Sequence, residues 1–225
     1  MCFSPQGDLA VGAVVVAIGV DACRHLAGRR EYLAIAALPV ALGLHQIDET
    51  LVWWALQGHI PSAVGRGAMW VYLIFAMVVL PTVIPLLIMS VEPREHRWRI
   101  MPFAAVGAFV SAVLLETMLR HSPRAAIGSY HLSYSIGLRH GIAVVGLYIL
   151  ATCGPMLVSR NRDLLLLGVV NLVVVGVLAR LGADGFASLW CFYAAIVSGF
   201  IALRLRRRAS VLSPPQNSPH SVSAQ

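Results

Sequence analysis

Long apolar runs alternate with short polar stretches that carry most of the arginines. An apolar helix of about 20 residues crosses a bilayer. Seven runs of that order can be marked, at about 8–27, 32–56, 67–91, 101–120, 139–158, 164–182 and 184–203. The pattern predicts an all-α integral membrane bundle of seven transmembrane helices occupying residues 1–208. The remaining stretch, residues 209–225, reads ASVLSPPQNSPHSVSAQ. It is polar and rich in Ser and Pro, and is expected to be a disordered tail.

Charge orders these runs. Every basic residue is an arginine, and they fall on alternate sides of the marked segments. One side collects twelve: Arg24, Arg29, Arg30, Arg94, Arg97, Arg99, Arg160, Arg162, Arg204, Arg206, Arg207 and Arg208. The other side has five: Arg66, Arg120, Arg124, Arg139 and Arg180. By the positive-inside rule the N-terminus is expected outside and the C-terminus in the cytoplasm, in a multi-pass protein of the cell membrane. The first run lacks a basic leader and an AxA-like cleavage site, so it reads as an inserted helix and not as a signal peptide.

Composition agrees. The 225 residues are 58% hydrophobic and 12% charged, where a soluble domain carries about 25% charged residues. The net charge of +7 follows from arginines placed between apolar runs, which argues against a nucleic-acid partner. Cys2, Cys23, Cys153 and Cys191 are scattered, without CxxC or metal-ligand spacing.

The polar residues inside the apolar runs are the candidates for chemistry. GLHQIDETLVWW, residues 43–54, places a His, a Gln, an Asp and a Glu within five positions. His45 and Glu49 are four apart and share a helix face with Trp53. Asp48 is turned about 100° from Glu49, and Glu49 is read as the inward acid. A carboxylate in hydrocarbon costs about 2.5–3.5 kcal/mol even on a lenient scale, so it is kept where it faces a cavity or a partner. In the expected topology Asp8, Glu49, Glu116 and Asp184 all fall toward the outer side. So do His131, Tyr134 and His140, and the aromatic residues Trp53, Trp54, Trp70, Tyr72, Trp190 and Tyr193. Glu116 and Arg120 also have ion-pair spacing. Asp184 also suits a helix N-terminus, and Asn171 suits an interhelical hydrogen bond. The stretch SYHLSYSIG, 129–137, reads either as a polar outer loop or as a re-entrant cap.

No Gly-rich phosphate loop, GxSxG, HExxH, CxxCH or DDxxD motif is present. Diphosphate ionisation on magnesium is therefore disfavoured. A buried acid, a His and electron-rich rings suit a different reaction. A carboxylic acid kept out of water holds its proton, can protonate an alkene or epoxide as a general acid, and leaves a cation that ring faces stabilise by about 0.5–2 kcal/mol each.

The segments MCFSPQGDL, GLHQIDETLVWW, HLSYSIGL, ATCGPML and GFASLWCFYAA resemble a family of small seven-helix actinobacterial membrane proteins beginning MCFS. Some members resemble the membrane-bound terpene cyclases of drimentine-type pathways, which act on farnesylated indole diketopiperazines. The resemblance covers about residues 1–205. It implies cyclisation of a prenyl, specifically farnesyl, chain on an acceptor, after an upstream prenyltransferase. The expected partners are a lipophilic prenylated small molecule and membrane lipid, with no metal or other cofactor.

In that reading Glu49 is the first proton donor, tuned by His45, and Glu116 is an alternative donor or charge stabiliser. Asp184 or His131 is the terminal base, and Trp53, Tyr134, Trp190 and Tyr193 line the substrate path. Two other classes fit the same residues. One is a non-enzymatic proton-coupled carrier or small-molecule sensor. The other is a haem-binding membrane protein using His45 with His131 or His140.

Overall fold

The computed structural model describes residues 4–26, 30–128, 131–138, 141–181 and 186–212. The described chain is helical almost throughout. Its helices are α1 (Pro5–Leu26), α2 (Arg30–Leu56), α3 (Ser62–Leu73), α4 (Leu80–Val91), α5 (Met101–Arg120), α6 (Gly141–Val158), α7 (Arg162–Leu181) and α8 (Phe186–Leu212). A π-helical stretch, Ile74–Val79, joins α3 to α4 into one rod, Ser62–Val91. A short 3₁₀ turn, Arg94–Arg99, leads into α5. Among the described residues, five helices are long and apolar enough to cross a membrane: α1, α2, the α3–α4 rod, α5 and α6. Helix α8 runs to Leu212, beyond the residue where the polar tail was expected to begin.

The close pairing of α1 with α2 starts from glycine. Gly12 and Gly43 face each other, and a Cβ on Gly12 would lie 2.7 Å from the Gly43 carbonyl oxygen. Small residues let two membrane helices approach backbone to backbone, where packing replaces the missing hydrophobic drive between helices. Two turns further along each helix, this approach brings the first turn of α1 against the last two turns of α2. Thr50 Oγ1 donates to the Pro5 carbonyl over 3.3 Å.

The π-helical stretch has an equally local cause. Pro81 and Pro85 lack N–H groups, so the rod cannot satisfy all its carbonyls internally. In an apolar surround those oxygens need other donors. Tyr148 from α6 donates to the Ala76 carbonyl over 2.6 Å, and Ser111 from α5 donates to the Val78 carbonyl over 2.6 Å. Gly107 of α5 lies directly on the Pro81 carbonyl, with no room for a side chain.

One element departs from the helical expectation. Strands β1 (Arg124–Ile127) and β2 (Leu132–Ser135) form an antiparallel hairpin that pairs Arg124 with Ser135 and Ile127 with Leu132. The sequence LSYSI explains its placement. Alternate residues of a strand share a face, so Leu132, Tyr134 and Ile136 point together, away from Ser133 and Ser135. Leu132 is fully buried and Ile136 is buried, and both join Val52, Trp53, Tyr72, Leu114 and Met118 in the largest apolar cluster. The hairpin thus packs onto the bundle as a cap through its buried face.

Candidate functional site

The cap closes over a group of buried polar side chains at the end of the bundle where α1 begins and α2 ends. Glu49 is wholly buried, and the Tyr134 hydroxyl from the hairpin donates to its Oε1 over 3.3 Å. The Tyr134 ring stacks on Tyr72 of α3, centroids 4.8 Å apart. Tyr72 stacks in turn on His45, centroids 4.1 Å apart at 15° between planes. Glu49, Tyr134, Tyr72 and His45 therefore form one continuous set contributed by α2, α3 and the hairpin. Burial, and next the Glu49 carboxylate beside it, pushes the Tyr134 hydroxyl well above its usual range, so Tyr134 acts as a donor.

A second acid lies on the α1 side of the same helix end. Asp8 is fully buried and accepts a hydrogen bond from Trp53 Nε1 over 3.0 Å. Gln46, one turn before Thr50 and seven residues before Trp53, is also fully buried. Among the described residues Asp8 Oδ1, both polar atoms of Gln46 and His45 Nε2 have no hydrogen-bond partner. Such groups are rare inside proteins and cost about 1–3 kcal/mol each. These groups, Asp8 from α1 and His45 and Gln46 from α2, gather at this one end of the bundle.

The Asp8–Trp53 contact gives a prediction about coupling. Trp53→Phe keeps most of the ring but leaves Asp8 buried without its donor, at a cost of about 1–3 kcal/mol. In a Trp53→Phe background, Asp8→Leu should cost far less than in the wild type. Thermal unfolding of the two single variants and the double variant in detergent measures this coupling. Simple additivity would show that the hydrogen bond contributes nothing.

Apolar space is linked to the acid through Cys191. A cavity of about 100 Å³ lies under the cap, lined by Ile136, Tyr148, Trp190 and Cys191 among others. Cys191 links the two regions: it lines this cavity, its thiol lies beside the Tyr72 hydroxyl, and it is within electrostatic reach of Glu49. A second cavity, about 70 Å³, shares Tyr148 and Trp190 with the first. There Tyr193 donates to Asn171 Oδ1 over 2.9 Å, an α8–α7 hydrogen bond of the kind the Asn171 position suggested.

The structure brings together Glu49, His45, Tyr134 and Trp53, and it places Trp190 and Tyr193 on the cavities. Trp53 serves the site through its N–H to Asp8. Glu116 lies elsewhere. It is 61% exposed and pairs with Arg120 over 2.6 Å on the outside of α5, so it does not join the cluster. His131 sits at the turn of the hairpin, where its carbonyl accepts from Gly128. Asp184 and His140 lie outside the described residues. Asp8, Gln46, Tyr72 and Cys191 belong to the site although the sequence reading gave them no role. For Asp8 a signal was present: an acid in an apolar helix with no arginine one turn away.

Among known proteins, a family model matches residues 1–215, with the description Family of unknown function (DUF6629). No curated protein and no solved structure matches.

Proposed function

We propose a function for a chain that belongs to this family of unknown function: a membrane-embedded terpene cyclase that starts its reaction by protonating a prenyl chain. The observation that carries the reading is the wholly buried Glu49, held by Tyr134, near stacked rings, and linked through Cys191 to an apolar cavity walled by Tyr148 and Trp190.

The steps balance without a redox partner. Glu49 starts as the acid, with Oε1 accepting from Tyr134 and the proton on Oε2. The terminal alkene takes that proton: a C–H bond forms, the O–H bond breaks, and the π pair leaves a tertiary cation. Internal alkenes close rings onto the cation, forming C–C bonds. A base finally removes a proton, so the product is an isomer of the substrate. Trp190 and Tyr148 offer ring faces to the cation, and the cap excludes water that would quench it. Cavities of about 100 and 70 Å³ are below the roughly 300–1,000 Å³ of sites for drug-sized ligands. A prenyl chain therefore enters only as the surrounding side chains move apart, Tyr148 and Trp190, which line both spaces, among them.

The reading includes seven spans: α1, α2, the α3–α4 rod, α5, α6, α7 and α8. The N-terminus is outside, the cap lies on the outer face, and the cell membrane is the site of action. The arginine asymmetry of twelve against five supports this orientation. A reporter fused to the C-terminus should read cytoplasmic and one placed after Met1 should read outside; the reverse pattern would move the cap to the inner face.

The direct test incubates membranes containing the protein with a panel of farnesylated acceptors, including indole diketopiperazines. Mass spectrometry should find a product of unchanged mass and new retention time, formed equally in EDTA. A second reading, a proton-coupled carrier, is favoured by Asp8 and Gln46, whose unpartnered atoms no cyclisation step uses. Substrate-driven acidification inside proteoliposomes, without any isomer, would select it.

A further inference from the structure

Three cavities lie in line along α8. The first, beneath the cap, is walled by Cys191 and Trp190. The second shares Trp190 with it and contains the Asn171–Tyr193 hydrogen bond. The third, about 410 Å³, shares Tyr193, Val197 and Ile201 with the second. It lies between α7 and α8, where Leu166 and Phe200 on its walls are exposed, and at its far end are Asn161, Asp163 and Arg204. Polarity is therefore graded along one path. It begins at an acid, an amide and a guanidinium, passes the Asn171–Tyr193 pair with Thr152 and Ser198, and ends in largely apolar space at Cys191.

We infer that this path admits a single-chain amphiphile sideways from the lipid, tail first. The head stays between α7 and α8 at Asn161, Asp163 and Arg204, and the tail passes Tyr193 to end at Cys191. Length supports a chain and not a compact ligand. Cys191 and Arg204 are thirteen residues apart on one helix, or roughly 20 Å at 1.5 Å per residue. Charge selects the head. Asp163 and Arg204 have opposite signs, so a head that both donates and accepts hydrogen bonds fits both. The far end of the tail then lies nearest the buried acid, which fixes which alkene is protonated first.

The inference rests on the cyclase reading for its purpose, but its test needs no turnover. Glu49→Gln protein in lipid nanodiscs is mixed with one of two photoreactive farnesol analogues. One carries a diazirine at the tail and the other beside the hydroxyl. After irradiation, peptide mass spectrometry should map the tail label to Tyr148, Trp190 or Cys191, and the head label to the 161–167 or 200–204 segments. Val197→Trp fills the junction between the second and third cavities. It should reduce tail labelling at Cys191 at least tenfold, whereas Val173→Trp, on an exposed face of α7, should not. Reversed labels, labels confined to lipid-facing α1 or α5, or insensitivity to Val197→Trp would each overturn the path. Correct labelling without any cyclised product in the wild type would leave the path standing and remove the cyclase.

Discussion

Glu49→Gln should lower the rate of isomer formation by about 10²–10⁴-fold, the usual consequence of losing a general acid. Expression and membrane insertion should stay near wild type. The amide fills the same buried volume, and its oxygen can still accept from Tyr134, whose hydroxyl is 3.3 Å from Glu49 Oε1. What it lacks is a proton to give. Glu49→Asp should keep part of the activity, because the acid remains but is drawn back one methylene from Tyr134. His45→Ala should be milder than Glu49→Gln, since His45 acts through the Tyr72 ring stacked on it. Glu116→Gln should be silent, because Glu116 is exposed and paired with Arg120 away from the cavity. Normal turnover in Glu49→Gln, or a loss in Glu116→Gln of similar size, would end the assignment of the proton donor.

The contrast between Glu49 and Glu116 shows what the sequence could and could not reveal. Both are acids in apolar helices. Glu49 has no arginine one turn away, whereas Glu116 has Arg120 at ion-pair spacing; the sequence reading still kept Glu116 as an alternative donor, and the exposed ion pair removes it from the cluster. Many helix positions were legible because long hydrophobic runs are the length and composition of helices that can cross a bilayer. His45 and Glu49 share a face by helical periodicity alone, so their joint burial was legible too. Tyr72, Cys191 and Asp8 were not assigned, because their partners are distant in sequence. Trp53 reaches Asp8 across 45 residues, and Tyr134 reaches Glu49 across 85. The hairpin shows the same limit. Its alternation of Leu132, Tyr134 and Ile136 with serines was visible, but the face it presents to the bundle is set by tertiary packing.

The second large effect is expected where the site meets the backbone. Gly12→Leu should destabilise the protein by about 1–3 kcal/mol or more, the range for overpacked interiors. At about 2–4 °C per kcal/mol for a chain of this size, the shift is readily measured by thermal unfolding in detergent. The cause is specific. A Cβ on Gly12 would lie 2.7 Å from the Gly43 carbonyl oxygen and 2.8 Å from Ile47 Cγ1, and a backbone oxygen cannot step aside. Helix α1 must then tilt or slide, and Asp8, one turn nearer the cap on the same face, is carried away from Trp53. The loss should therefore appear twice, as a lower melting temperature and as the disappearance of the Asp8–Trp53 coupling in a double-variant cycle. Gly43→Leu should produce the same pair of effects from the other helix. The two substitutions together should cost less than their sum, since one displacement of α1 relieves both. Gly146→Leu on α6 is the control, because nothing lies within 4 Å of a Cβ there. Equal melting temperatures for Gly12→Leu and Gly146→Leu would show that the α1–α2 seam yields freely and that Asp8 is not held in place by it.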